Sequence, residues 1–153
     1  MGNLADYIES YLKRLLESTA EGVIELQRRE LAEKFRCVPS QINYVLATRF
    51  THDRGYVVET RRGGGGYIRI LRLSFGSGQD LASLIQTEIG DDISARRADA
   101  LLVRLEDEGL LDENDRAFVK AVLERETLRV HPSYRGVVRA SLLKAMVMAL
   151  LRE

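Results

Sequence analysis

The 153-residue sequence has no tryptophan, two prolines, two histidines and a single cysteine, Cys37. One cysteine excludes a disulfide within the chain and suits a reducing compartment. No apolar run approaches the roughly 18–20 residues that a membrane-spanning helix requires. The first residues also lack the basic and then apolar order of a signal peptide. These absences predict a soluble, cytoplasmic protein.

The net charge of the chain is zero, because 23 basic side chains balance 23 acidic ones. The balance conceals an asymmetry, since residues 28–72 carry ten basic and four acidic side chains, a local net charge of +6. A positive segment within a neutral chain is typical of a surface that binds a polyanion. Ordinary solvated surface charge is the alternative interpretation of this pattern.

The scarcity of cysteine and histidine argues against catalysis. A cysteine nucleophile needs a histidine beside it in the fold, and His52 and His131 are the two candidates for Cys37. No set of cysteine, histidine and acidic residues has the spacing of a metal site. The glycine run at residues 63–66 lacks the Gly-Lys-Ser/Thr ending of a nucleotide-binding loop. The sequence therefore predicts no enzyme, no metal site and no cofactor.

Two short helices separated by a break are predicted between residues 28 and 50. Residues 28–35 form the first, and Pro39 suits the first position of the second, where its missing N–H costs nothing. Small Ala32 lets the two helices approach closely, as in a helix-turn-helix motif. The predicted shared apolar face comprises Ala32, Phe35, Val38, Ile42, Val45 and Leu46.

The outer face of the second helix is polar and has no acidic residue. It comprises Ser40, Gln41, Tyr44, Ala47 and Thr48. Base edges in the major groove of DNA offer donors, acceptors and methyl groups, so this composition suits a recognition helix. Helical hairpins without a DNA role have the same spacing, and this motif alone leaves that alternative open.

Two alternating segments, residues 54–61 and 67–73, flank a glycine run and predict a β-hairpin. Glycine adopts positive φ without steric cost, so the tip is expected to be thin. An ordinary flexible tip is the alternative for this segment taken alone. Together with the helices before it, the hairpin completes a winged helix-turn-helix domain, predicted for residues 1–75.

Residues 76–153 are predicted to form an all-α domain of four helices. The first two helices carry their apolar residues at Leu81, Leu84, Ile85, Ile89, Ala98, Leu101, Leu102 and Leu105. The third is expected to bury Phe118, Val119, Val122 and Leu123. The last carries Val137, Val138, Leu142, Ala145, Met146, Ala149 and Leu150. Because the last helix is apolar around most of its circumference, it predicts a dimer interface, with a monomeric core helix as the alternative.

These segments closely resemble the CtsR family, the repressors of class three stress genes in low-GC Gram-positive bacteria. The resemblance extends over essentially the whole chain and rests on residues 4–9, 25–32, 39–50, 54–56 and 61–70. It implies a dimeric repressor of Clp protease and chaperone genes, which binds a direct repeat in double-stranded operator DNA and is released by heat. It also implies three partners: the protein arginine kinase McsB, its activator McsA and the Clp protease.

The residues and the resemblance together predict a set of DNA contacts. These are Arg28, Arg29, Ser40, Gln41, Tyr44, Thr48, Arg49, Arg61, Arg62, Gly63, Gly64, Gly65 and Gly66. Ser40, Gln41 and Tyr44 are expected to reach base edges or adjacent phosphates in the major groove. The arginines of the helices are expected to hold phosphates.

Arg62 and the glycines after it are expected to enter the minor groove, where narrow A·T-rich segments attract arginine. The resemblance also makes the glycine tip the expected heat-sensitive element and Arg62 the expected site of phosphorylation. A phosphate on Arg62 would place negative charge near the DNA backbone. A protein-interaction module built on the same winged fold remains the alternative function, and salt-dependent DNA binding would distinguish the two.

Overall fold

The computed structural model describes residues 2–61, 66–75 and 81–151. The chain divides into two compact units, Met1–Leu73 and Ser74–Glu153. Each unit has its own cluster of buried apolar side chains. Across the described ranges, no helix is both long enough and apolar enough to cross a membrane.

The first unit combines three helices with a small antiparallel sheet. Its elements are α1 (Leu4–Glu17), β1 (Val23–Gln27), α2 (Arg28–Lys34), α3 (Pro39–Arg49), β2 (Tyr56–Arg61) and β3 (Tyr67–Arg72). A short 3₁₀ turn, His52–Arg54, links α3 to β2. The helix pair and the hairpin follow each other as predicted from the sequence.

Helix α1 begins at a reciprocal cap. The Asn3 side chain accepts a hydrogen bond from the Asp6 backbone N–H at 2.9 Å, and the Asp6 carboxylate accepts one from the Asn3 backbone N–H at 3.1 Å. Both bonds satisfy donors that a helix start would otherwise leave unpaired. The helix then buries Ala5, Ile8, Leu12 and Leu16 at three- and four-residue steps. Burial of this stripe ties α1 to the core beneath the helix pair.

Helices α2 and α3 form the predicted pair, with one correction to their shared face. Ile42, Val45 and Leu46 of α3 are buried, as predicted. Val38 was expected in the same core, but 63% of it is exposed. Val38 is the N-cap residue of α3, with extended backbone, so it does not share the direction of the helical stripe.

The sheet has the order β1-β3-β2, and both pairs of strands are antiparallel. The predicted β2–β3 hairpin is confirmed, with Arg61 opposite Tyr67 at its outer end. The pairing of β1 with β3 was not predicted, because it joins segments far apart in sequence. It makes β3 the central strand, and Ile68 and Ile70 of β3 are fully buried.

The described residues of the second unit form four helices, as predicted. They are α4 (Leu81–Ile89), α5 (Ala95–Asp107), α6 (Glu113–Thr127) and α7 (Arg135–Leu150), with a 3₁₀ turn, Pro132–Tyr134, before α7. Ser94 caps α5, and Asp112 and Asp115 form a reciprocal cap on α6. Gly109 ends the α5 region with a left-handed φ of +76°, which its lack of a side chain permits.

Three apolar surfaces of the second unit differ from the prediction. Leu84 and Phe118 were expected in the core, yet they are 49% and 59% exposed. Helix α6 packs through Val119 and Leu123, and Phe118 points about 100° away from that line. Helix α7 buries Ala140, Leu143 and Val147, whereas Val137, Ala145 and Ala149 of the predicted face are exposed. A period of 3.6 residues cannot select the inner face of a helix that is apolar on several sides.

The burial of α3 can be tested with two substitutions to alanine. Ile42→Ala removes a fully buried side chain and should lower the free energy of unfolding by about 2–5 kcal/mol, because it leaves a cavity. Val38→Ala changes an exposed side chain and should stay within about 0.5 kcal/mol. Denaturant unfolding followed by circular dichroism measures both. Equal losses would show that Val38 packs in the core after all.

Candidate nucleic-acid interface

Helix α3 presents an outward face with no acidic side chain. Ser40, Tyr44, Ala47 and Thr48 are exposed, and Gln41 is half-buried. Tyr44 is 53% exposed, so its ring and hydroxyl are accessible on the helix surface. The sequence-predicted recognition face is therefore brought together on one side of α3.

One group on this face already has a partner within the helix. The Thr48 hydroxyl donates to the Tyr44 carbonyl at 2.7 Å. This bond uses the donor of Thr48, and its oxygen lone pairs remain available as acceptors. Thr48 is consequently suited to accepting a hydrogen bond and to apolar contact through its methyl group.

Three further exposed residues lie on α3 or in the turn before it and were not among the predicted contacts. Arg36 lies exposed in the turn with a φ of +52°, Val38 is the exposed N-cap residue of α3, and Asn43 is exposed beside Tyr44. A helical wheel would have found Asn43, which lies three positions after Ser40 and four before Ala47. The positions of Arg36 and Val38 depend on the backbone conformation of the turn between α2 and α3. A helical period does not extend into this turn, so it could not predict them.

The C-terminal end of α3 is held by two sets of contacts. Phe50 and Tyr56 stack edge to face with ring centroids 4.9 Å apart, and this contact joins the end of α3 to the start of β2. Arg49 Nη1 contacts Asp6 Oδ1 at 2.7 Å and Glu9 Oε1 at 2.5 Å on α1. Lys13 Nζ also contacts Glu9, through Oε2, at 2.6 Å. Helix α3 is thus anchored to both α1 and β2, and these contacts hold its outward face in place.

The Arg49 contacts shift the protonation of their partners. The hydrogen bond from Arg49 lowers the pKa of Asp6, with the Asn3 backbone contributing in the same direction. Burial opposes ionisation of Glu9, but hydrogen bonds and charges from Lys13 and Arg49 outweigh it and lower the pKa. In turn, Asp6 and Glu9 raise the pKa of Arg49. Arg49 was predicted to hold a phosphate, and the structure places it between two carboxylates of its own chain.

Arg69 is neutralised in a similar way on the sheet. It lies on β3 directly opposite Glu25 of β1 and Glu59 of β2. Its guanidinium is 3.7 Å from the Glu25 carboxylate and 3.5 Å from the Glu59 carboxylate. A hydrogen bond with Glu25 also raises the pKa of Tyr67, the neighbour on the same face. This row of the sheet therefore offers little net positive charge.

Within the described part of residues 28–72, the exposed arginines lie at the start of α2, in the turn and at the end of the hairpin. Arg29, Arg36 and Arg61 are exposed, and among the described residues no carboxylate lies within ion-pair distance of them. Arg61 lies near the Tyr67 ring, with its Cζ 5.9 Å from the ring centroid. Arg28 is half-buried beside Gly66. Arg29, Arg36 and Arg61 therefore face solvent and are available to an anionic ligand.

Four predicted contacts, Arg62, Gly63, Gly64 and Gly65, lie outside the described residues. Gly66 is described and has a φ of +82° at the start of β3. Within residues 2–61, 66–75 and 81–151, no three histidine, cysteine or acidic side chains are grouped so that they could hold a metal ion. Burial raises the pKa of the Cys37 thiol, which disfavours the reactive thiolate.

Two family models together span nearly the whole chain. The model described as the CtsR N-terminal HTH domain matches residues 3–74, and the CtsR C-terminal dimerization domain matches residues 77–148. The chain belongs to the CtsR family. The fold therefore combines a helix-turn-helix domain of CtsR type with a CtsR dimerisation domain, and its homologues are regulators rather than enzymes.

Curated CtsR proteins resemble the chain over almost their full length. The transcriptional regulator CtsR of Bacillus subtilis (strain 168) is 40% identical over 148 residues, covering 97% of this chain and 96% of the relative. That of Staphylococcus aureus (strain USA300) is 42% identical over 147 residues, covering 96% of each. A solved structure, the crystal structure of CtsR in complex with a 26bp DNA duplex, has a TM-score of 0.73 and 42% identity. That comparison covers 99% of this chain and 100% of the solved one.

The Arg49 contacts predict a dependence of stability on pH. Asp6 and Glu9 have lowered folded-state pKa values, so their stabilisation is present above the ordinary values of 3.8 and 4.5 and is lost as the pH falls below them. Arg49→Met should make this acid destabilisation shallower, because it removes a shared cation. Arg14→Met, at an exposed position of α1, is the control. Thermal unfolding from neutral pH into this acidic range measures the slope, and an unchanged slope for Arg49→Met would contradict the assignment.

Proposed function

We propose that the chain is a DNA-binding transcriptional repressor that acts as a homodimer in the cytoplasm. The observation that carries the proposal is the outward face of α3, which has no acidic residue and lies in the same unit as exposed arginines. An α-helix fits the major groove, and side chains on its exposed face then reach base edges. The similarity to CtsR regulators, one of which was solved with a DNA duplex, supports this function.

The contacts divide into base reading and phosphate binding. Ser40, Gln41 and Tyr44 carry donors and acceptors at the exposed start and middle of α3, so they are proposed to read bases or adjacent phosphates. Arg29 and Arg61 are exposed cations, which suits them to phosphates. For Arg49 the bond to α1 favours a role in holding α3 in place. Thr48 is proposed as a groove contact through its methyl group and free lone pairs.

The hairpin is proposed to act as a wing, with Arg62 and the glycines beside it in the minor groove. The family resemblance further supports control of Clp protease and chaperone genes and release of the DNA on heat stress. McsB with McsA is proposed to phosphorylate Arg62, which would turn an attractive contact with DNA into a repulsive one. The Clp protease is proposed to degrade the released repressor.

The second unit supports dimerisation through the outer face of α7. Val137, Ser141 and Ala145 lie exposed at four-residue steps along this helix. They line an open groove of about 640 Å³ between α4 and α7, together with Met148. Small residues at this spacing let a second helix approach closely. A second copy of the chain is the proposed occupant, in agreement with the family's dimerisation domain at residues 77–148.

The function is tested by DNA binding at several salt concentrations. Arg29→Ala should weaken binding to operator and unrelated duplexes alike and reduce the slope of log K against log salt by about 1, because one phosphate contact is lost. Gln41→Ala should cost about 1–3 kcal/mol on the operator and little on unrelated DNA, because base reading is lost. Fluorescence anisotropy with a tandem-repeat promoter duplex measures both. Absence of salt-dependent binding by the parent chain would overturn the repressor function.

The dimer surface is tested with one substitution at two exposed helix positions. Ala145→Glu on α7 should raise the dimer dissociation constant at least tenfold, because a buried unpaired carboxylate opposes association by more than about 1.4 kcal/mol. Ala121→Glu on the exposed side of α6 is the matched control and should leave the dimer intact. Sedimentation velocity measures both. If the two variants behave alike, the outer face of α7 is not the interface.

A further inference from the structure

Arg28 and Gly66 meet where the sheet joins the helix pair. The last residues paired between β1 and β3 are Gln27 and Tyr67, so Arg28 and Gly66 are the next residues along each segment. The Arg28 backbone N–H donates to the Gly66 carbonyl at 2.6 Å. This bond continues the antiparallel ladder by one step, into the first residue of α2. The start of α2 and the start of β3 are therefore directly linked.

The Arg28 side chain packs against Gly66 as well. A Cβ atom built on Gly66 would overlap the Arg28 guanidinium and lie 3.2 Å from the Arg28 Cβ. Arg28 Nε is buried and has no hydrogen-bond partner among the described atoms. The guanidinium thus occupies the space that a side chain at position 66 would need. Gly66 also has a φ of +82°, which L side chains rarely adopt.

We propose that this contact, the Arg28–Gly66 joint, sets the direction in which the β2–β3 hairpin leaves the helix pair. Arg28 is then a positioning residue for DNA binding, in addition to being a cation. Gly66 precedes Tyr67, and Tyr67 pairs with Arg61 at the outer end of the hairpin. A displacement at Gly66 would therefore move Arg61 relative to α3. The joint rests on the proposed DNA-binding function and adds the geometry that lets hairpin and α3 act on one duplex.

The chain contains a matched control for Gly66→Ala. Gly22 lies in the same unit with a φ of +67°, so alanine there meets a similar backbone strain. A Cβ atom on Gly22 would lie 3.7 Å from the Arg72 carbonyl oxygen, an ordinary contact. The two variants share the conformational cost of replacing a left-handed glycine. They differ in the overlap with Arg28, and that difference isolates the joint.

The first measurement is amide hydrogen exchange without DNA. Gly66→Ala should accelerate exchange of the Arg28 amide, because the bond to the Gly66 carbonyl is displaced, whereas Gly22→Ala should leave it as in the parent. The second is affinity for the promoter duplex. Gly66→Ala should weaken binding about tenfold, the loss expected for one good contact, while Gly22→Ala stays within about twofold.

A double-mutant cycle separates positioning from charge. If Arg28 crowds a side chain at position 66, Arg28→Ala should remove most of the additional effect of Gly66→Ala, so that the double variant binds like Arg28→Ala alone. Independent effects that multiply in the double variant would overturn the joint. Equal behaviour of Gly66→Ala and Gly22→Ala in exchange and affinity would overturn it as well. A parent chain that binds no duplex would instead overturn the proposed function, and the exchange experiment distinguishes this failure from that of the joint.

Discussion

The inner face of α3 is the constraint on which the first unit depends. Eleven residues are too few for a stable isolated helix in water, so α3 requires the burial of Ile42, Val45 and Leu46. The same helix must leave its other face in solvent to be able to read DNA. Contacts at its C-terminal end resolve this conflict, because Phe50 and Arg49 tie it to β2 and α1 without covering the outward face.

The positive charge that the first unit offers to a ligand depends on which arginines are paired with carboxylates, and not on the number of arginines. The segment from residue 28 to residue 72 has a net charge of +6, but two of its arginines are neutralised by carboxylates of the same chain. Arg49 is paired with α1, and Arg69 is paired across the sheet. The charge available to a polyanion is carried by exposed side chains such as Arg29, Arg36 and Arg61. A count along the sequence therefore locates a binding region without identifying the binding arginines.

The two units also differ in how they use their apolar residues. In the first, Ala32, Ile42, Val45 and Leu46 of the predicted face are buried, and Val38 is exposed. In the second, Phe118 and Val137 stay 59% and 50% exposed. An amphipathic stripe with one apolar side defines its own inner face, as in α1. A helix such as α7, apolar on several sides, has its inner face chosen by the neighbours it meets, and its remaining apolar side stays exposed.

Local chemistry in the sequence determined the helices, their caps and the hairpin. Asn3 and Asp6 cap α1, Pro39 opens α3, and alternating apolar residues form β2 and β3, because each signal acts between residues a few positions apart. Long-range contacts decided the rest. The pairing of β1 with β3, the bond between Arg49 and α1, and the packing of Arg28 on Gly66 join residues about 40 positions apart. A periodic pattern does not reveal such contacts, so only the tertiary structure could distinguish the arginines that pack or pair within the chain from those that remain exposed.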